Sequence, residues 1–297
     1  MQFSSARPSF LRDVPPRTLK LATRMTLKQS RHIATAGRAA EAARLIDDHG
    51  FCLLPQAVEP AIVKWLLERC HAALTATADP HLARSSRGHV YAARNLLEVI
   101  PEVKTCWRSG VLLETLREVL GRRFGLVRVL FFDKPPDRTW ALAWHKDTAI
   151  AVRDNTLPTS QFSRPTVKAG VPHVIASDEI LRRMLTLRIH LDDVTDENGP
   201  LQVVPGSQRS KTDEGAGVDA AVAIHAAAGD VLAMRPLLSH SSGASHPGTT
   251  RHRRILHLEF AGDEQLPDGY HWHNFVTSEA AEERGGTENA CEETVRD

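Results

Sequence analysis

The sequence predicts an α+β domain in which helices pack against a β sandwich or jelly roll. Three observations carry this. Apolar residues recur at helical spacing in the first half of the chain, and the second half switches to short runs with period two. Between residues 39 and 275 lies a nearly neutral body of a 42% hydrophobic chain, long enough to bury one full core.

Residues 38–48 are Ala-rich and stop before Gly50, a residue suited to a left-handed helix end. The apolar run Phe51 to Leu54 follows. Pro60 then opens a segment in which Ile62, Trp65, Leu66, Cys70 and Leu74 share a helical face. A third helix, residues 111–120, gathers Leu112, Leu113, Leu116, Val119 and Leu120 on one side and stops at Gly121. From Leu185 to Asp192, Leu185, Leu187, Ile189 and Leu191 alternate with Thr186, Arg188, His190 and Asp192, the pattern of a half-buried strand. Residues 126–132, 203–204, 231–234, 237–239 and 254–260 are also strand-like, and turn signals such as Asn198-Gly199-Pro200 and Pro205-Gly206-Ser207 separate them.

The formal charge of +1 conceals two opposed ends. Residues 1–38 carry eight basic side chains against Asp13, and residues 276–297 carry seven acids against Arg284 and Arg296. The expected organisation is a partly disordered basic extension (1–38), a folded body (39–275) and an acidic tail (276–297). The first 24 residues resemble a transit peptide, and Met25 is an alternative start. The expected compartment is therefore cytoplasmic, or mitochondrial if that stretch is a leader. No apolar run approaches the ~20 residues of a membrane helix. The basic arm lacks the aromatic interleaving of a nucleic-acid binder. Cysteines 52, 70, 106 and 291 show no paired spacing, which argues against a disulfide framework or thiolate zinc site. A small-molecule partner is expected, with neither nucleic acid nor membrane. Nothing in the sequence sets the oligomeric state.

Fifteen histidines invite a metal reading. A His-x-Asp pair is cheap, since composition alone predicts about one. Two occur, His145-Lys146-Asp147 and His190-Leu191-Asp192. On a strand this spacing puts both side chains on one face, so an imidazole and a carboxylate can share an ion. His145 and Asp147 have the better context, behind Trp140 and Trp144, which can wall a site from water. His190 and Asp192 end a regular strand and read as a polar face and a turn.

An ordered set of motifs is more specific than either pair. Trp144-His145-Lys146-Asp147, Leu191-Asp192-Asp193, Glu197-Asn198-Gly199-Pro200-Leu201, Val204-Pro205-Gly206-Ser207, His240-Ser241-Ser242 and Arg253-Arg254-Ile255-Leu256-His257 together resemble the phytanoyl-CoA dioxygenase family. The likeness runs from about residue 48 to 261. It implies a double-stranded β-helix (jelly roll, cupin-like) with packing helices mainly from the N-terminal half. It also implies an Fe(II)- and 2-oxoglutarate-dependent dioxygenase acting with dioxygen on a small organic substrate.

Carried over by position, the resemblance makes His145, Asp147 and His240 the catalytic iron ligands, and Arg253, Ser242 and Lys134 the co-substrate contacts. Two details depart from the family pattern: the stretch between His240 and Arg253 is slightly long, and Lys146 stands where Gln is common. Arg251, Arg253 and Arg254 therefore all remain candidates for the co-substrate carboxylate. Strand parity prefers Arg253, which would share its face with His257 and Glu259 while Leu256, Leu258 and Phe260 turn toward the helices. An intact Asp147 favours hydroxylation over halogenation, because halogenases replace that carboxylate. The competing readings are a cupin-like hydrolase or isomerase and a metal-free jelly-roll binding module.

Overall fold

Gly50 shows how local chemistry starts the fold. Its φ of +85° ends the first helix, and its N–H donates to Ile46 O at 2.9 Å. A Cβ there would lie 2.5 Å from Gln208 Oε1. The computed structural model describes residues 38–76, 83–86, 89–108, 110–136, 139–210 and 217–279. Most of the expected basic extension and the acidic tail beyond 279 lie outside the described residues.

The first half holds α1 (Ala39–His49), β1 (Phe51–Leu54), α2 (Pro60–Ala76), β2 (Ala83–Ser86), β3 (His89–Ala93), α3 (Leu96–Val99) and α4 (Gly110–Leu120). Then come β4 (Gly125–Lys134), β5 (Leu142–His145), β6 (Ala149–Ala151), β7 (Phe162–Lys168), β8 (Val171–Ala176) and α5 (Asp178–Arg182). The remainder is β9 (Met184–His190), β10 (Leu201–Val203), β11 (Val222–Ile224), β12 (Val231–Met234), β13 (His240–Ser242), β14 (Arg253–Ala261) and β15 (Val276–Thr277). Among the described residues no helix is long and apolar enough to cross a membrane.

The large sheet runs β1-β12-β9-β14-β4-β3-β2, with β15 also on β4. A smaller sheet runs β11-β10-β13-β5, and the two form the double-stranded β-helix. β15 lies just past residue 275, so sheet pairing continues into the start of the segment expected as tail. The outer face of the large sheet is covered by helices. Leu185, Leu187 and Ile189 of β9 and Leu256, Leu258 and Phe260 of β14 join Ile46, Leu66, Leu74, Leu112 and Leu116 in one core. Between the sheets, Phe51, Leu232 and Met234 meet Leu201, Val203 and Ile224 and fill one end. The other end stays open as a cavity.

Several sequence expectations are corrected. The buried stripe of α2 is Val63, Leu66, Cys70 and Leu74, and Ile62 is 40% exposed. Val63, three residues before Leu66, takes the inward position. β9 is buried on both faces, with Thr186 at 1%, Arg188 at 6% and His190 at 3% exposure. Its polar face is not solvated because it lies inside the β-helix. Residues 237–239 are not a strand: Leu238 N–H closes a turn on Arg235 O, Leu237 and Leu238 enter two separate cores, and the strand begins at His240. The three-stranded sheet β6-β8-β7 went unseen, because β7 (Phe-Ser-Arg-Pro-Thr-Val-Lys) is mostly exposed and carries no apolar alternation.

Trp107 is fully buried, with ring centroids 5.5 Å from Phe124 and 5.1 Å from Phe260. Trp107→Ala is expected to cost about 3–5 kcal/mol of unfolding free energy, measured by urea denaturation. A cost under about 1 kcal/mol would refute its place at the helix–sheet junction.

Candidate metal centre and cavity

Two neighbouring strands of the smaller sheet bring their histidines face to face. β5 ends at His145, β13 begins at His240, and these residues are direct cross-strand partners with ring centroids 4.1 Å apart. Asp147 follows just after β5, fixed by its backbone N–H to Pro236 O at 2.9 Å. His145 Nε2 lies 3.7 Å from Asp147 Oδ1, and His240 Nε2 lies 3.5 Å from Oδ2. Ligand atoms of all three lie within 4.8 Å of one another.

The outer hydrogen bonds fix the tautomers. His145 Nδ1 donates to Ala143 O and His240 Nδ1 donates to Leu238 O, each at 2.8 Å. A carbonyl only accepts, so the proton sits on Nδ1 and the Nε2 lone pairs face each other and Asp147. Burial pushes His240 down to about 4, which keeps it neutral at pH 7. Burial would raise Asp147, but electrostatic interaction with the neighbouring His240, His257, His145 and Arg188 outweighs it and brings the carboxyl down to about 2. Two neutral imidazoles and one carboxylate on one face make a donor set that fits Fe(II) and leaves positions open.

The group opens on a cavity of 780 Å³. Arg253 lines it at 2% exposure; Nη1 donates to Gly199 O at 3.1 Å, and Nε has no partner. Burial, reinforced by Arg188, pushes Arg253 down to about 9. A buried guanidinium without a carboxylate is costly to keep, and its orphaned N–H fits an incoming carboxylate. Ser242 also lines the wall. Lys134, fully buried, stands behind it: Nζ donates to Ser242 Oγ at 3.1 Å and to Gly243 O. Burial first, then Arg253 and Arg188, push this ammonium down to about 6. Trp140 covers both side chains, its ring 4.7 Å from Lys134 Nζ and 5.7 Å from the Arg253 guanidinium. Trp144 is only half-buried and does not line the cavity.

Of the three candidate arginines, only Arg253 reaches the cavity. Arg254 is held by Asp192, with Nη2–Oδ1 at 2.6 Å and Nε–Oδ2 at 2.8 Å. Arg251 sits half-exposed, 3.2 Å from Glu197. The second His-x-Asp pair is thereby accounted for, since His190 Nδ1 donates to Asp230 O at 3.1 Å. Lys146 donates to Ser207 O and Ser210 O and ties β5 to the adjoining turn.

Strand parity put His257 and Glu259 on the face of Arg253, but did not foresee their linkage with Arg188 and Arg128 into a chain of four polar side chains on the inner wall. Arg188 Nη1 donates to His257 Nδ1 at 3.0 Å, His257 Nε2 donates to Glu259 Oε1 at 3.2 Å, and Arg128 clasps Glu259 at 2.6 and 2.8 Å. Its signal was present as Arg128 inside an apolar run and Glu259 in phase with Arg253.

Buried histidines make stability depend on pH. His173 and His190 are each pushed by burial from 6.5 down to about 4. Unfolded, they take up protons near 6.5; folded, they refuse them until about 4. The unfolded chain therefore binds more protons in that window, and stability falls as pH drops through it. His252, raised by Asp133 at 3.1 Å, opposes this as a single group. The urea midpoint of metal-free protein should fall between pH 6.5 and 4, and less steeply in His190→Asn; a flat midpoint would refute the account.

Residues 46–253 match the family model for Phytanoyl-CoA dioxygenase (PhyH). No curated protein matches the chain significantly. AviO1 from Streptomyces viridochromogenes Tue57 is similar at a TM-score of 0.56 and 24% identity, over 79% of this chain and 99% of its own. EctD from S. alaskensis with 2-oxoglutarate and 5-hydroxyectoine gives 0.58 and 19%, over 75% of each chain. The non-heme alpha ketoglutarate dependent epimerase SnoN from nogalamycin biosynthesis gives 0.57 and 18%, over 78% of this chain and 84% of its own. These structures share the fold. The matched span takes in His145, Asp147, His240 and Arg253 and covers well over half the sequence, so the chain belongs to the phytanoyl-CoA dioxygenase (PhyH) family of 2-oxoglutarate-dependent non-haem iron oxygenases.

Proposed function

We propose that His145, Asp147 and His240 hold Fe(II), that Arg253 and Ser242 anchor 2-oxoglutarate, and that the protein hydroxylates an unactivated C–H bond of a small organic substrate. The observation that carries this is the open His-Asp-His face on the same cavity as an arginine whose buried Nε lacks a partner. With iron and 2-oxoglutarate bound, one dioxygen is consumed: one oxygen atom enters the substrate, the other enters succinate, and CO2 leaves.

The protein's own part is positional. His145 and His240 keep their protons on Nδ1, where Ala143 O and Leu238 O hold them, so each ring gives its Nε2 lone pair and cannot turn. Asp147 stays ionised and offsets part of the metal's charge. Arg253 orients the far carboxylate of the co-substrate. Lys134 acts through Ser242: by donating to Oγ it leaves the hydroxyl proton for an acceptor in the cavity. Trp140 shields this end from water. Hydroxylation is favoured by the presence of Asp147, which leaves no vacant protein-ligand position for a halide.

Addition of Fe(II) and 2-oxoglutarate without oxygen tests the reading. A visible metal-to-ligand charge-transfer band should appear and depend on both. No band at millimolar co-substrate would overturn it.

A further inference from the structure

Two half-exposed apolar residues, Leu142 at 42% and Val167 at 67% exposure, line the cavity and mark where it meets solvent. The β7–β8 hairpin forms one side of this mouth. Its turn is tight, with Ala169 at φ +52° and Gly170 at φ +76°. Asn95, itself at φ +57°, donates from Nδ2 to Ala169 O at 3.1 Å and ties the segment after β3 to the hairpin tip. That bond brings Arg94, one residue before Asn95, to the same wall as Lys168, the last residue of β7.

The charges on the wall do not balance. Among the described residues that line it, Arg94, Arg128, Lys146, Lys168, Arg188 and Arg253 are cationic, and only Asp147 and Glu259 are carboxylates. Arg128 takes Glu259, Asp147 belongs to the metal group, Lys146 is spent on backbone carbonyls and Arg94 is itself engaged, which leaves Lys168 as the cation at the mouth. Fe(II) and doubly charged 2-oxoglutarate cancel each other, so loading the site leaves the excess in place. Lys168 is half-buried, and burial first, then Arg128 and Arg94, lower its pKa. A cavity lined with one sign of charge concentrates ligands of the other. The wall also carries the apolar side chains of Leu130, Phe132 and Ile175 beside those polar groups.

Resting on the function proposed above, we infer that the substrate is an amphipathic oxyanion. Its carboxylate or phosphate docks at the mouth on Lys168 beside Arg94, and its apolar body runs inward and presents a C–H bond to the metal group. Lys168 is thereby a specificity-determining residue of the reaction.

Anaerobic protein loaded with Fe(II) and 2-oxoglutarate is titrated with two fluorescent probes that share an apolar body. 8-Anilinonaphthalene-1-sulfonate carries an anion, and N-phenyl-1-naphthylamine is neutral. The anionic probe should bind at least about tenfold more tightly and lose that preference as salt is raised. Lys168→Glu should weaken the anionic probe about tenfold or more and leave the neutral one unchanged; Lys168→Gln, with an intact circular dichroism spectrum, guards against misfolding. Competition by octanoate or by octyl phosphate tells a carboxylate from a phosphate source. Equal binding of the two probes, indifference to both Lys168 variants, or displacement by octyltrimethylammonium as good as by the anions would overturn the inference. The charge-transfer band is read in the same samples. If it is missing, the iron and 2-oxoglutarate reading fails; if it is present with no probe preference, the oxyanion inference fails.

Discussion

His240→Ala is expected to yield a folded protein that shows no charge-transfer band and binds Fe(II) more than ~100-fold more weakly, beyond the ~10–100-fold that losing an outer-shell partner costs. The imidazole is 2% exposed and its Nε2 is 3.5 Å from Asp147, so no water-exposed side chain replaces it without rebuilding β13. The fold should survive, because the group removed is small beside the cores on either side of the sheets and leaves Leu238 O unsatisfied at a cost of about 1–3 kcal/mol. Imidazole added to the variant should recover part of the iron affinity, a response that damage to the fold alone would not give. Unchanged iron affinity in a folded His240→Ala protein would remove His240 from the ligand set.

The same residues show how far the sequence can be read. His145 and Asp147 are close in the chain, so their nearness was legible from spacing, although Asp147 lies past the end of β5 and is held by Pro236 O, not by strand alternation. His240 is nearly a hundred residues away, and only strand pairing brings it opposite His145. No local pattern holds that information, and it came from the ordered set of motifs. Arg253 was legible from parity, since a strand with helices on one side has a single face left for charge, and β14 places Leu256, Leu258 and Phe260 in the helix-covered core as that argument requires.

Arg188 marks the limit of parity. Alternation in β9 correctly separated its two faces, but period two cannot tell a face turned to solvent from one turned into a closed β-helix. That difference is set by whether a second sheet covers the strand. β7 was invisible for a different reason: five of its seven residues are exposed, so it shows no apolar alternation, and it is placed by pairing with β8, whose Val174 and Ala176 share a core with Phe162.

Arg253→Met is expected to separate stability from co-substrate binding, with opposite signs. Without 2-oxoglutarate the wild-type guanidinium is a buried cation that no carboxylate touches; it is repelled by Arg188 and adds to the burial that depresses Lys134 to about 6. A methionine of similar length removes that burden, and replacing even a buried ion pair by apolar volume is often neutral or stabilising by about 1–4 kcal/mol. The metal-free variant should therefore unfold at a higher urea concentration than the wild type. Its affinity for 2-oxoglutarate, read from the charge-transfer band, should fall by roughly 2–5 kcal/mol, or about 30-fold to several thousandfold. Arg253→Lys, which keeps the charge and loses the planar fork, should fall between the two. The wild type should gain about 2.7 kcal/mol of stability at a hundredfold excess of 2-oxoglutarate over its Kd, and the methionine variant should gain under about 1 kcal/mol at that concentration. If the variant keeps the wild-type band midpoint, Arg253 is not the co-substrate anchor. If it instead unfolds earlier without 2-oxoglutarate, its bond to Gly199 O outweighs its unpaired charge, and the site is held together by its arginine before any co-substrate arrives.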